Sequence, residues 1–184
     1  MNVLIVPSPV GALLLREDAG KLAEVAFLSP TFSPETPFEQ ELAASNLNAQ
    51  PFTAARLSAE SLASETPPIL RRAAAQIAEY FAGTRPRFDL PLAPVGTDFQ
   101  RRVWAATSAI PFGETATYGE IARKIGAPNA ARAVGGALNR NPLAIVVPCH
   151  RVVGSSGKLT GYDGGVDRQA FLLTLERGTA PRLF

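Results

Sequence analysis

Residues 84 to 97 read TRPRFDLPLAPVGT, and Pro86, Pro91 and Pro94 in that stretch limit the fold more than any other feature of the chain. Each proline fixes its own φ, lacks an N–H and pushes the preceding residue toward extended backbone. No helix and no central strand can run through such a segment. It reads as an extended linker, with one domain at residues 1–88 and a second at 89–184. A chain of 184 residues is long enough for both to bury apolar side chains.

Before the linker, MNVLIVPSPVGALLL and LAEVAFLSP alternate apolar stretches with turn residues, which predicts two or more strands. The first fifteen residues carry no basic run and are broken by Pro7, Pro9 and Gly11, so they read as strand and turn, not as a signal peptide. Residues 35 to 65 are rich in Ala, Ser and Glu with weak periodicity, and no element is assigned there. PPILRRAAAQIAEYFAG, 67 to 83, predicts a helix. Prolines open it, Leu70, Ala74, Ile77 and Phe81 share one side, and Gly83 stops it. The fold class expected is α+β: a small N-terminal sheet-plus-helix domain, then a mainly helical C-terminal domain.

Four helices are expected in the second domain. DFQRRVWAATSAI puts Phe99, Val103 and Ala106 on one face. TYGEIARKIG opens with a capping box between Thr117 and Glu120, buries Tyr118, Ile121, Ala122 and Ile125, and ends at Gly126. PNAARAVGGALNRNP follows after a Gly-Pro turn, with Asn129 as the expected cap. This pair has helix-turn-helix spacing. On the second helix Ala130, Val134, Ala137 and Leu138 face one way; Asn129, Arg132, Gly135, Gly136 and Asn139 face the other. Two interior glycines cost roughly 1 kcal/mol each relative to alanine. A face with that composition suits close approach, either to another helix or to nucleic acid. From Thr117 to Lys158 there are six basic residues (Arg123, Lys124, Arg132, Arg140, Arg151 and Lys158) against the single acid Glu120, an excess that fits an anionic partner or a solvated face. VDRQAFLLTLERG forms a last helix, with Asp167 as cap, Gly178 as stop and Glu176 continuing the apolar face. A buried Glu176 needs a partner, either the histidine or one of the arginines.

The only cysteine and the only histidine of the chain are adjacent, in VVPCHRVVGSSG at 146 to 157. One cysteine forms no internal disulfide, which suits a reducing cytoplasmic compartment. A thiol attacks as thiolate and needs a base or positive charge beside it. His150 and Arg151 supply these locally, and Glu176 could orient the imidazole. Neighbours on a strand point to opposite faces, so contact between Cys149 and His150 requires a turn begun at Pro148, or a bridging water. A lone cysteine is more often a small buried hydrophobe. A metal site is disfavoured, since no other Cys or His is present.

The stretches GTDFQRRVW, IPFGETATYGEIA, RAVGGALNRNP, VVPCHRVVGSSGKLTGYDGG and LLTLE, from about Gly96 to Glu176, together resemble the O6-alkylguanine-DNA alkyltransferases, also called methylated-DNA–protein-cysteine methyltransferases. The PCHRV signature is highly specific to them, while the N-terminal half resembles them only in SPVGALLL and the helix before the linker. The resemblance implies direct reversal of damage in double-stranded DNA. An O6-alkylguanine is flipped out of the duplex, and Cys149 takes the alkyl group irreversibly, once per protein. It implies that His150 is a water-bridged base, that Glu176 stands behind it, that Tyr118 helps flip the nucleotide and donates a proton, and that Asn141 braces the active-site turn. Arg132 is implied to fill the gap in the duplex, with Ala131, Gly135, Tyr118 and Arg151 also on the DNA. Val152 and Tyr162 to Gly164 would wall the guanine pocket, with Asp163 where the family often has a small or neutral residue. No cofactor, metal or membrane is implied, and a monomer is expected.

Three other readings compete. An alkyltransferase-like lesion-binding protein would recognise the base without repair, but such relatives typically have tryptophan at the position of Cys149. A cysteine hydrolase would leave the helix-turn-helix unexplained. A methyl-activated transcription factor would need a further DNA-binding domain.

Overall fold

A computed structural model describes residues 2–28 and 66–178; the unassigned stretch 35 to 65 lies outside them. Three strands, β1 (Asn2–Val6), β2 (Leu13–Asp18) and β3 (Lys21–Phe27), form an antiparallel sheet in the order β1-β2-β3. Asp18 pairs with Lys21 across Ala19 (φ 48°) and Gly20 (φ 77°). Two left-handed residues make the turn whose twist matches that of the strands. On β2, Leu13, Leu15 and Glu17 are buried and Leu14 and Arg16 are half-buried, the period of two that a strand requires. The inward row meets α1 (Pro68–Phe81), whose Leu70, Ala74, Ile77 and Phe81 are all buried, as the sequence predicts. Gly83, at φ 73°, lies just past its end.

The proline segment is extended but anchored. Leu22 N–H donates to Pro91 O (2.9 Å), and Ala93 N–H to Leu22 O (2.9 Å). Farther along the same strand, Val25 N–H donates to Pro142 O (2.8 Å), and Ala144 N–H to Val25 O (2.9 Å). The open edge of β3 thus pairs with the linker at one end and with a C-terminal loop at the other. Side chains from both halves join one contiguous apolar core.

Beyond the linker come α2 (Asp98–Ser108), β4 (Ala116–Thr117), α3 (Tyr118–Lys124), α4 (Ala131–Leu138), a single 3-10 turn (Cys149–Arg151), β5 (Val152–Val153) and α5 (Val166–Glu176). β4 and β5 pair in parallel. The capping box at Thr117 and Glu120 is formed, and a second joins Thr97 and Gln100 at the start of α2. Trp104 Nε1–H donates to Ala137 O (2.9 Å), fastening α2 to α4.

Two expected caps are corrected. The α4 cap position is Ala130, not Asn129. The connecting turn closes through Ala130 N–H to Ala127 O (2.9 Å), leaving Asn129 one residue too early. The α5 cap position is Gly165 at φ 88°. Asp167 lies inside the first turn, where its carboxylate still suits the helix dipole. Among the described residues no helix is long and apolar enough to cross a membrane.

Candidate active site

The loop after α4 is shaped by one side chain. Asn141 Oδ1 accepts from Leu143 N–H (3.0 Å), while Nδ2 donates to Val147 O (3.0 Å) and lies 3.2 Å from Cys149 Sγ. Within the loop Ile145 sits at φ 69° with its side chain buried, a costly backbone for a β-branched residue that the surrounding core enforces. Pro148 then begins a turn: Cys149 N–H donates to Val147 O (2.8 Å), and Arg151 N–H to Pro148 O (3.0 Å). The turn separates the two side chains. The thiol lines a cleft while the imidazole is wholly buried.

In the core, Glu176 gathers five donor contacts. Its Oε1 accepts from Tyr80 Oη–H (2.7 Å), His150 Nε2 (2.8 Å) and Arg151 Nη2 (2.9 Å). Its Oε2 accepts from Arg151 Nε (2.8 Å) and Gly113 N–H (3.1 Å). Burial works against the carboxylate, but the His150 and Arg151 donors overcome it and hold its pKa at about 2. An ionised carboxylate only accepts, so His150 Nε2 carries the proton and Nδ1 presents a lone pair. Nδ1 is buried with no hydrogen-bond partner among the described residues. Burial lowers the imidazole pKa, and the Glu176 hydrogen bond only partly opposes this, so His150 is a neutral base at rest. Burial pushes the Cys149 thiol up to about 11; Asn141 pulls it down and Asp163 adds to the rise. The resting thiol is therefore protonated and has to lose its proton in the reaction.

The cleft beside Cys149 holds about 400 Å³ and is walled by Asn141, Tyr162, Asp163 and Gly164 on the C-terminal side and by Val25 and Phe27 of β3 on the other. Gly164 leaves no room for a side chain: a Cβ would lie 2.5 Å from Tyr162 Cε1 and 2.9 Å from Phe27 Cε2. Gly164→Ala is expected to destabilise the protein by about 1–3 kcal/mol through overpacking and to displace the Tyr162 ring. Thermal melting together with the alkyl-transfer rate checks this. Tyr118, at the start of α3, donates to Thr160 O (2.8 Å) and ties the helix-turn-helix to the cleft wall. On the outer side of that motif a shallow recess is lined by Tyr118, Arg123, Ala131, exposed Arg132 and Ser155.

Residues 98–178 match the family described as 6-O-methylguanine DNA methyltransferase, DNA binding domain. A methylated-DNA–protein-cysteine methyltransferase of Methanosarcina acetivorans is 46% identical over 176 residues, covering 96% of this chain and 98% of that protein. This chain belongs to that methyltransferase family. The enzyme of the same name from Mycolicibacterium paratuberculosis is 59% identical over 117 residues, 64% of this chain and 71% of that protein. Among solved structures, Mycobacterium tuberculosis OGT in complex with DNA aligns with a TM-score of 0.72 at 44% identity, covering 96% of this chain and 93% of that one.

The site residues expected from the family fall into three groups. Cys149, His150, Glu176 and Asn141 are brought together around the 3-10 turn. Tyr118, Ala131, Arg132 and Gly135 share the outer helix-turn-helix region; a Cβ on Gly135 would lie 3.7 Å from the Tyr118 ring. Tyr162, Asp163 and Gly164 wall the cleft. Two assignments are corrected. Arg151 does not face DNA: it is buried, paired with Glu176, and donates from Nη1 to Ile110 O (2.7 Å). Its removal leaves five exposed basic residues between 117 and 158 against Glu120. Val152 is not a cleft wall, because its side chain belongs to the core and its backbone to β5.

Sequence reasoning missed three supporting residues. Gln169 Nε2 donates to the carbonyls of His150 (3.1 Å) and Val152 (3.0 Å). Arg168 donates to Gly164 O (3.0 Å) and Val10 O (2.9 Å), joining the cleft wall to the turn between β1 and β2. The third is Tyr80. A signal existed for it, since a tyrosine on the buried side of an Ala-rich helix needs a partner for its hydroxyl.

Proposed function

We propose that this protein removes the alkyl group from O6-alkylguanine in double-stranded DNA by transferring it to Cys149, once and irreversibly. The observation that carries the reading is the placement of Cys149. Its thiol opens into a cleft beside the helix-turn-helix, while the next residue is a buried neutral imidazole held by Glu176.

In the proposed reaction α4 docks on the DNA through its small residues Ala131 and Gly135, and the damaged nucleotide rotates into the cleft. Arg132 occupies the space it leaves. The thiol proton passes through a water to His150 Nδ1. The sulfur attacks the alkyl carbon, so that an S–C bond forms as the C–O6 bond breaks. The guanine takes one proton from Tyr118, whose hydroxyl is reprotonated from solvent as the imidazolium gives its proton up to solvent, and it stays in the DNA as unmodified guanine. Glu176 stays ionised throughout and stabilises the imidazolium. Residues 1–88 support the site and 89–184 carry out DNA binding and transfer. A monomer in the cytoplasm is the proposed setting, the latter because a single cysteine suits a reducing compartment.

Intact mass after incubation with a duplex containing one O6-methylguanine tests the reaction. The expected gain is one methyl in place of one hydrogen, with no further addition. Lesion-selective binding without a mass gain would replace repair by recognition alone. The assignment of Arg132 is tested separately. Arg132→Ala is expected to slow transfer from duplex DNA by about a hundredfold, because the unstacking cost of a few kcal/mol is no longer offset. Reaction with free O6-benzylguanine, which needs no flipping, is expected to change little. Equal losses on the two substrates would remove Arg132 from that role.

A further inference from the structure

Besides the β3 residues that wall the cleft, the N-terminal half contributes a hydroxyl to the Glu176–His150 pair. Tyr80, on α1, is fully buried, and its hydroxyl donates to Glu176 Oε1, the same oxygen that receives His150 Nε2–H. Its ring is held by Phe81 (centroids 5.2 Å apart), Phe88 (5.6 Å) and Phe112 (6.1 Å), which fixes where the hydroxyl points. We infer that Tyr80 is a positioning residue for alkyl transfer: its hydroxyl locks the Glu176 carboxylate opposite His150 and shares the oxygen that orients the imidazole. The inference rests on the alkyl-transfer reading for its kinetic consequence only.

The physical argument concerns one oxygen with three donors. Arg151 spans both carboxylate oxygens and fixes the plane of Glu176 from one side. Tyr80 approaches Oε1 from another element and restrains the carboxylate there. It also withdraws part of the acceptor strength of Oε1 from Nε2–H. That keeps the proton acceptor at Nδ1 neutral until the thiol gives up its proton. The other titratable or charged groups around the imidazole are Arg151 and Cys149 on its own turn and Tyr162, whose ring centroid is 6.5 Å away; Asp163 and Arg168 lie beyond Tyr162. None of these touches Oε1 except Arg151.

The chain's single histidine makes the test direct, because nitrogen-15 spectra of labelled, tag-free protein report one imidazole. Wild type is expected to show the Nε2–H tautomer alone. Tyr80→Phe keeps the ring and removes one oxygen. It is expected to keep the Nε2–H tautomer, raise the pH at which the imidazole takes a proton, and shift the acid limb of the pH–rate profile the same way. Transfer is expected to slow about three- to tenfold, the scale of an ordinary net hydrogen bond, because the hydroxyl acts on the reaction only through Glu176. The loss is expected to be equal for duplex DNA and O6-benzylguanine. Site-specific 3-fluorotyrosine at position 80 preserves the shape and strengthens the donor, so the imidazole titration is expected to move to lower pH. This second variant decides the matter if Tyr80→Phe fails to fold. An unchanged imidazole in either folded variant, or a loss confined to duplex DNA, would overturn the inference. Absence of transfer in wild type would instead defeat the reaction reading and leave the spectroscopic result standing.

Discussion

Glu176→Ala is expected to cost about 3–5 kcal/mol of stability, the scale for breaking a buried ion pair. Arg151 would keep its charge in the core with the Ile110 carbonyl and the face of the Phe112 ring as its remaining described partners. His150 Nε2–H, Tyr80 Oη–H and Gly113 N–H would also lose their acceptor. Against a typical total of about 5–15 kcal/mol, that loss is large. Denaturant unfolding of the wild type and variant at neutral pH checks the magnitude. The pH dependence supplies a second readout. Glu176 titrates at about 2 in the folded chain against 4.5 for the unperturbed group. Its contribution, on the order of 3 kcal/mol, is complete above the unfolded value and disappears as pH falls through the folded one. His150 acts in the same direction from a higher pH, since burial lowers its pKa below 6.5 and the unfolded chain takes the proton first. Wild type is therefore expected to lose stability in two stages on acidification. In Glu176→Ala the lower stage is absent. An unchanged acid profile would remove Glu176 as the ionised centre of the cluster.

Cys149→Ser is expected to abolish the methyl gain altogether while leaving the fold and lesion binding intact. The thiol accepts from Asn141 and from backbone N–H groups of its own turn, which a hydroxyl can also accept from, so little stability is at stake. The chemistry is another matter. Burial lifts the resting thiol to about 11, two units above its ordinary value, and reduces the thiolate fraction about a hundredfold. Free protein is accordingly expected to react slowly with iodoacetamide. Fast transfer requires deprotonation to be coupled to a substrate already in the cleft, with His150 Nδ1 as the acceptor. A serine hydroxyl holds its proton far more tightly, and the same base cannot make it a comparable nucleophile. Mass spectrometry of the variant after exposure to the methylated duplex, with a binding titration in parallel, checks both halves. A methyl gain in Cys149→Ser would place the acceptor elsewhere.

Much of the architecture was readable from short-range pattern. The strand alternation of residues 2 to 27, the apolar stripe of α1 and the Thr117–Glu120 box all rest on contacts within a turn or across a hairpin. So does the stop at Gly83. Caps were the weak point: whether Asn129 or Ala130 starts α4 depends on how the preceding turn closes, which side-chain preference alone does not determine.

Composition alone singled out Cys149 and His150, because the chain has one cysteine and one histidine and they are adjacent. The sequence also set the demand that a buried Glu176 find partners. Packing settled which ones. His150 and Arg151 both turn inward because Pro148 and Asn141 wind the backbone into a 3-10 turn, so Arg151 is taken from the DNA side to the core. Tyr80 completes the cluster from 96 residues away. Periodicity and capping signals act over three or four residues; a hydroxyl meeting a carboxylate across the fold is fixed by how the helices pack, and no local pattern records it.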